Sequence, residues 1–145
     1  MNVKDLCDKY NIIYYKINKD NSIDVYNSVY LNGYGLSKLP LKFNKIYGDF
    51  FCNYNELKTL EGCPKYVTKS FDCSFNKLTS LKWCPKSVGG TFDCRKNKLT
   101  TNTSDNNIIK GKFISSLKEN KLNKENYNEW NKIKKRKKII NKILK

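Results

Sequence analysis

Hydrophobic and polar positions in the middle of the chain recur with a period of 21 residues. The repeated unit is Phe-x-Cys-x-x-Asn-x-Leu-x-x-Leu-x-x-Cys-Pro-x-x-Val. Its alternation predicts a short strand at Phe-x-Cys, with Phe and Cys directed inward and the residues between them outward. A fixed period of this length is typical of a solenoid, whose coils contact only their neighbours. The aligned columns are Phe50, Phe71 and Phe92; Cys52, Cys73 and Cys94; Asn55, Asn76 and Asn97; Leu57, Leu78 and Leu99; and Leu60 and Leu81.

The repeat weakens toward both ends of this region. In an earlier copy, Val29 and Leu31 occupy the Phe and Cys columns, and Tyr34 replaces the Asn. A later remnant places Ile109 on the Val column and Phe113 on the Phe column. The pattern therefore predicts about four coils that end where the repeat fails.

The polar and proline columns predict how each coil turns. Stacked Asn side chains, such as Asn55 and Asn76, are expected to bond backbone groups where the chain leaves each strand, forming a ladder. Pro64 and Pro85 fit an extended return arm without a helix. We therefore expect one strand per coil and one parallel sheet on the concave face of the solenoid.

The repeat core resembles the leucine-rich repeat, with Phe and Cys in two of the Leu positions. Its short period and its proline resemble the short bacterial-type repeats of secreted effectors. Leu-x-x-Cys-Pro followed by Phe-x-Cys-x-x-Asn-x-Leu resembles more closely the repeat proteins of large phages and viruses. This resemblance covers roughly residues 22–117. It implies a mostly β, right-handed α/β repeat and a phage- or virus-encoded accessory or virion-associated protein.

The segments on either side of the repeats predict other elements. A helix over residues 3–10 and a hairpin built from 14–17 and 23–29 are expected to cap the first coil, so that residues 1–30 form an N-terminal cap. Residues 31–117 then form the solenoid. Beyond it, residues 118–145 lack Gly and Pro and show near-helical apolar spacing, which predicts a basic amphipathic C-terminal helix.

Charge is concentrated in this C-terminal segment. The chain carries a net charge of +16; residues 110–145 hold 13 Lys and Arg against 3 Asp and Glu, a net +10. Such clustering suits phosphates, an anionic membrane surface or an acidic protein. Arg occurs only at positions 95 and 136, which makes sequence-specific base reading unfavourable. The candidate nucleic-acid contacts are Lys132, Lys134, Lys135, Arg136, Lys137 and Lys138.

The composition argues against catalysis. Histidine is absent, which excludes Ser-His-Asp and Cys-His chemistry and histidine-ligated metal sites. No C-x-x-C occurs, so we expect the six cysteines to be buried structural thiols, with no cofactor or metal. If a disulfide forms, Cys63 and Cys84 are the better candidates. The chain lacks an apolar signal core and an 18-residue apolar run, so we expect it in a reducing intracellular compartment, the host cytoplasm, or in a virion, without a transmembrane segment.

The outward side of the Phe-x-Cys strands supplies the candidate binding surface. Exposed aromatic side chains there favour a protein partner, either a host protein or a viral structural protein. Asp72 and Asp93 stack one repeat apart, but no nucleophile or acid–base partner accompanies them, so an enzyme is not expected. The function predicted is non-catalytic protein binding, with nucleic-acid association through the tail as the alternative. The candidate contacts are Tyr30, Phe51, Asn53, Tyr54, Asp72, Phe75, Asp93 and Arg95.

Overall fold

A computed structural model describes residues 1–100, 108–109 and 111–115. In this part of the chain, short parallel strands wind into a solenoid of about four turns, and one short helix precedes them. The basic helix predicted over residues 118–145 lies outside the described residues.

The chain begins with helix α1, Val3–Lys9, which supplies the buried Cys7. Asn2 caps it, since its side chain accepts a hydrogen bond from the Asp5 N–H and the Asp5 carboxylate accepts one from the Asn2 N–H. This reciprocal pair satisfies two backbone donors that a helix of this length would otherwise expose. The first turn of a short helix is thereby fixed at the position where the sequence predicts one.

Eleven short strands follow in the described residues, and they form two sheets. The first two strands pair antiparallel as a hairpin, and the other pairings are parallel. The six-stranded sheet has the order β1-β2-β4-β6-β8-β10, and the five-stranded sheet has the order β11-β9-β7-β5-β3. The strands are β1 (Tyr15–Ile17), β2 (Ile23–Val25), β3 (Val29–Tyr30), β4 (Phe43–Ile46), β5 (Phe50–Phe51), β6 (Tyr66–Val67), β7 (Phe71–Asp72), β8 (Ser87–Val88), β9 (Phe92–Asp93), β10 (Ile108–Ile109) and β11 (Phe113–Ile114).

The second sheet corrects the expectation of one strand per coil. Each return arm after a proline also forms a strand, and Tyr66 and Val67 pair in parallel with Ser87 and Val88 of the next coil. The arms are extended and lie side by side at the same repeat position, so their N–H and C=O groups find partners in each other. Each coil therefore contributes one strand to each of two sheets.

The inward columns pack as the repeat predicts. Phe50, Phe71 and Phe92 are fully buried, and consecutive ring centroids lie 5.8 and 5.0 Å apart. Phe43 lies against Phe50 at 4.9 Å, so the stack extends into the return arm of the first coil. The Cys and Leu columns are also buried, which gives a narrow interior filled coil by coil: Cys52, Cys73, Cys94, Leu57, Leu60, Leu78, Leu81 and Leu99.

The predicted asparagine ladder is present. Asn76 donates from Nδ2 to the carbonyl oxygens of Cys52 and Cys73, at 3.0 and 3.1 Å, and accepts at Oδ1 from the Leu57 N–H at 3.0 Å. Asn55 and Asn97 make the same contacts one coil earlier and one coil later. Each amide thus joins its own coil to the preceding coil and satisfies backbone groups that the turn leaves unpaired.

Candidate functional site

The outer face of the five-stranded sheet brings the predicted binding residues together. Position 30 of β3 pairs with 51 of β5, 51 with 72 of β7, and 72 with 93 of β9, so these side chains form one row across four coils. The residues that follow each strand form a second row beside it. We call this surface the five-stranded face, and its residues are Tyr30, Phe51, Asn53, Tyr54, Asp72, Phe75, Asp93 and Arg95.

Aromatic side chains occupy the early coils of the five-stranded face. Tyr54 and Phe75 lie in neighbouring coils with ring centroids 4.4 Å apart and planes within 12° of parallel. They are 58% and 40% exposed, so the stacked pair stands on the surface. Tyr30 meets Phe51 edge to face at 5.6 Å. The four rings form two contacting pairs on one side of the molecule.

The stacked pair has an unusual backbone. Tyr54 and Phe75 both have φ of 52°, and the equivalent residue of the first coil is Gly33, with φ of 73°. Bulky residues adopt this left-handed conformation at a cost of order 1–3 kcal/mol, whereas glycine adopts it freely. Hydrogen bonds from Tyr54 N–H to Ser74 O and from Phe75 N–H to Arg95 O hold the turn. Sequence reasoning did not anticipate this conformation, although Gly33 in the same column was a signal.

Charged side chains occupy the later coils. The Arg95 guanidinium binds the Asp93 carboxylate at two positions, with Nη2–Oδ2 at 2.7 Å and Nε–Oδ1 at 3.1 Å. This pairing raises the pKa of Arg95, and Asp72 adds to the effect. Asp93 is only 8% exposed, so a residue predicted for the binding surface is covered, and Arg95 presents the accessible charge instead. One guanidinium beside two stacked carboxylates offsets the repulsion that their spacing implies.

Asn53 lies in the aromatic part of the face, between Phe51 and Tyr54 of the same coil. Its side-chain Oδ1 is buried and, among the residues that the structure describes, it is the one buried side-chain polar atom without a hydrogen-bond partner. An unsatisfied buried acceptor costs about 1–3 kcal/mol, which a donor from water or from a bound molecule would recover. This oxygen is therefore a candidate anchoring point on the five-stranded face.

A second polar ladder runs along the entry side of the same sheet. Ser28 Oγ accepts from the Asp49 N–H, Asp49 Oδ1 from the Ser70 N–H, and Ser70 Oγ from the Thr91 N–H, at 2.9, 2.9 and 3.2 Å. These residues lie 21 positions apart, and their shared small polar character was the signal that sequence reasoning left unused. The five-stranded sheet is thus fixed by a side-chain ladder at each end of its strands.

Five of the six cysteines lie beneath this sheet and in the return arms, and Cys7 lies in helix α1. Burial raises the pKa of Cys52, Cys63 and Cys73 well above the usual thiol range, and it raises the pKa of Cys94 to about 12. None of the six cysteines, all within the described residues, forms a disulfide. Buried neutral thiols pack as small apolar groups and are poor nucleophiles.

Other candidate chemistry is limited in the described residues. The predicted tail contacts at 132 and 134–138 lie outside them. Over residues 1–100, 108–109 and 111–115, no group of three or more Cys, Asp or Glu side chains is arranged to hold a metal ion. Over the same residues, the structure has no helix with the length and apolar character needed to cross a bilayer.

Comparison with known proteins does not assign the chain to a family. No family model, curated protein or solved structure matches it. Fold and site therefore define it as a two-sheet parallel β solenoid that carries surface aromatic pairs on its five-stranded face. The leucine-rich-repeat assignment stays a prediction from the repeat pattern.

Proposed function

We propose that this protein is a non-catalytic binding scaffold of the leucine-rich-repeat type, encoded by a phage or virus, and that it docks a partner protein on its five-stranded face. The observation that carries the proposal is the exposed Tyr54–Phe75 stack held in left-handed backbone. Strained residues persist where the surrounding structure fixes them, and they concentrate at functional sites. In this solenoid the two ladders supply that fixed surrounding structure.

The aromatic pairs supply what a protein interface needs. Interface energy concentrates in a few aromatic and arginine side chains, and rings that are already ordered lose little entropy on binding. Tyr54 and Phe75 restrict each other by stacking, and Tyr30 and Phe51 do so by edge contact. The aromatic side chains of the face are therefore already restricted before a partner binds.

The remaining groups indicate the chemistry of the partner. Asn53 Oδ1 is a buried acceptor without a hydrogen-bond partner, and Asp72 lies beside Phe51 at the boundary of the aromatic part. A protein surface with an apolar side chain flanked by N–H donors or by a cation would match both features. The proposal places the protein in a reducing compartment of the host or in a virion.

The test compares two exposed aromatics that share left-handed backbone. Phe75→Glu places a charge on the five-stranded face, whereas Trp83→Glu makes the same change at a residue of the return arm with φ of 72° and 55% exposure. Partners are captured from the native source with nuclease present and are identified by mass spectrometry. Phe75→Glu should abolish capture of a specific protein that wild type and Trp83→Glu retain.

Two outcomes would contradict the proposal. Equal loss of the partner in both variants would indicate nonspecific capture by exposed aromatics. Loss on deletion of residues 131–145, with no effect of Phe75→Glu, would transfer binding to the tail. That second result would favour the alternative function, since the five consecutive basic residues at 134–138 suit phosphate contacts whose strength falls steeply with salt.

A further inference from the structure

The outer face of the six-stranded sheet carries a different set of side chains. Alternation along β4 and β6 directs Ile46 and Val67 inward and leaves Lys45 and Tyr66 exposed. Residues at the entry and exit of these strands are exposed as well. We call this surface the lysine–tyrosine face, and its residues are Tyr26, Tyr47, Tyr66, Lys45, Lys65 and Lys86.

The tyrosines present open aromatic surface. Tyr26 and Tyr47 occupy the same position in successive coils, with ring centroids 5.2 Å apart and planes within 15° of parallel. They are 53% and 47% exposed. Tyr66 is exposed nearby, and the Lys45 Nζ lies 6.0 Å from the centre of its ring, within reach of a cation–π contact. The face thus combines a stacked aromatic pair with a ring that has a cation beside it.

The lysines of this face are not neutralised. Lys65 and Lys86 precede β6 and β8 at equivalent positions, and the Lys86 N–H donates to the Lys65 carbonyl at 2.8 Å, so the two residues are adjacent coil to coil. Asp24 is the carboxylate of this sheet's outer row; it lies opposite Lys45 in the pairing of β2 with β4, and it accepts from the amides of Asn18 and Asn44. The ion pairs of Lys42, Lys77 and Arg95 lie elsewhere, and in the described part of the chain no ion pair involves Lys45, Lys65 or Lys86. With Lys45, Lys65 and Lys86 against Asp24, the face therefore carries net positive charge that is separate from the tail.

We infer that the lysine–tyrosine face binds single-stranded nucleic acid without sequence preference, a role that goes beyond protein docking on the opposite sheet. Proteins of that class combine cations that follow the phosphates with aromatic rings on which bases stack. Lysine supplies point charge without the bidentate geometry that reads base edges, so contact is with the backbone. An acidic protein would satisfy the lysines but would leave the stacked tyrosines without a planar partner.

The experiment separates the charge contribution from the stacking contribution in the full-length chain. Fluorescence anisotropy measures binding of a labelled 20-nucleotide oligo-dT across a series of salt concentrations. Lys65→Gln/Lys86→Gln should weaken binding and reduce the slope of log K against log salt by about 1.4, because each single-strand phosphate contact contributes about 0.7. Tyr26→Ala/Tyr47→Ala should weaken binding about tenfold and leave that slope unchanged.

A matched control removes the same charge elsewhere. Lys38→Gln/Lys58→Gln changes two exposed lysines outside the two sheets and should alter the slope less than the face variant does. All the altered side chains are partly or fully exposed, and circular dichroism melts verify that each variant is folded. A duplex of equal length should bind more weakly than oligo-dT and should not respond to the tyrosine change, because its bases are already stacked.

Five results would overturn the inference. Three are no oligo-dT binding by wild type at low salt, equal effects of the control and face lysines, and no effect of the tyrosine change. The fourth is competition by polyglutamate that matches competition by unlabelled oligo-dT, which would assign the face to an acidic protein. The fifth is loss of oligo-dT binding on deleting residues 131–145 with both face variants unaffected, which would assign the binding to the tail. None of these results bears on partner capture by Phe75→Glu, so the two proposals fail independently.

Discussion

Each coil contributes a strand to both sheets, yet the two sheets differ in the charge of their outer faces and in the side-chain hydrogen bonds that join neighbouring coils. The five-stranded face carries aromatic pairs and carboxylates, and its one arginine is paired with Asp93. The six-stranded sheet carries tyrosines and unpaired lysines. Side-chain ladders hold both ends of the five-stranded strands, whereas on the other sheet Asn44 joins only the first two coils, through Asp24.

This difference shows how a repeat divides its tasks. Inward positions must be repeated because every coil fills the same narrow interior, so the Phe, Cys and Leu columns hardly vary. Outward positions are free to vary, and the outer faces of the two sheets therefore carry different side chains. We therefore expect the five-stranded sheet, with its two ladders, to contribute more to stability, and the six-stranded sheet to contribute more positive surface charge.

The largest predicted effect tests the ladder. Asn76→Ala removes the acceptor of the Leu57 N–H and the donor to two buried carbonyl groups, so we expect a loss of about 3 kcal/mol in the free energy of unfolding. Urea denaturation measures it. Asn44→Ala, on the six-stranded sheet, removes one half-buried contact to Asp24 and should cost about 1 kcal/mol. Equal losses of unfolding free energy at the two asparagines would show that side-chain hydrogen bonds stabilise the two sheets to the same extent, and would contradict this prediction.

A smaller effect tests the strained aromatics. Trp83 has φ of 72° where the preceding coil has Gly62 with φ of 88°, and within the described residues no ring stacks on it as Tyr54 stacks on Phe75. Trp83→Gly should therefore be more stable than Trp83→Ala by about 1 kcal/mol, since alanine keeps the left-handed strain and glycine removes it. Thermal unfolding of both variants measures the difference. A more stable alanine variant would show that the turn relaxes rather than storing strain.

The interior of the coil was predictable because its chemistry repeats. Phe71 and Cys73 alternate at a constant period, and Asn76 offers a donor and an acceptor at a fixed turn, so burial and the ladder followed from spacing. The second strand was missed because Tyr66–Val67 supplies only one inward residue per coil, too few to show alternation. Its backbone forms strand pairs because the return arms of neighbouring coils lie parallel in the folded protein. That arrangement is a tertiary one, which the sequence of a single coil does not show.

The surfaces were only partly predictable. Tyr54 and Phe75 were assigned to the surface as the column just before the Asn, but alternation from Phe50 and Cys52 would direct them inward, and their exposure and stacking depend on the left-handed turn, which neither residue type signals. The sequence did not indicate the lysine–tyrosine face, because the clustered charge of the tail outweighs the net +6 of residues 1–109. Lys65 and Lys86 become one site only when successive return arms lie side by side.

The smallest predicted effect concerns the charge of the five-stranded face. Arg95→Gln leaves Asp72 and Asp93 stacked without their cation, yet the guanidinium is half exposed and solvent screens it. We therefore expect a loss in the free energy of unfolding at low salt that is smaller than the Trp83 difference, and that falls further in 0.5 M NaCl as the Debye length shrinks to a few Å. Urea denaturation at the two salt concentrations measures it, and Lys77→Gln, which breaks the exposed pair with Glu56, should cost still less. Because Arg95 bonds both carboxylate oxygens of a covered Asp93, a loss identical to that of Lys77→Gln would contradict this prediction and would mean that the pair contributes no more than an exposed one.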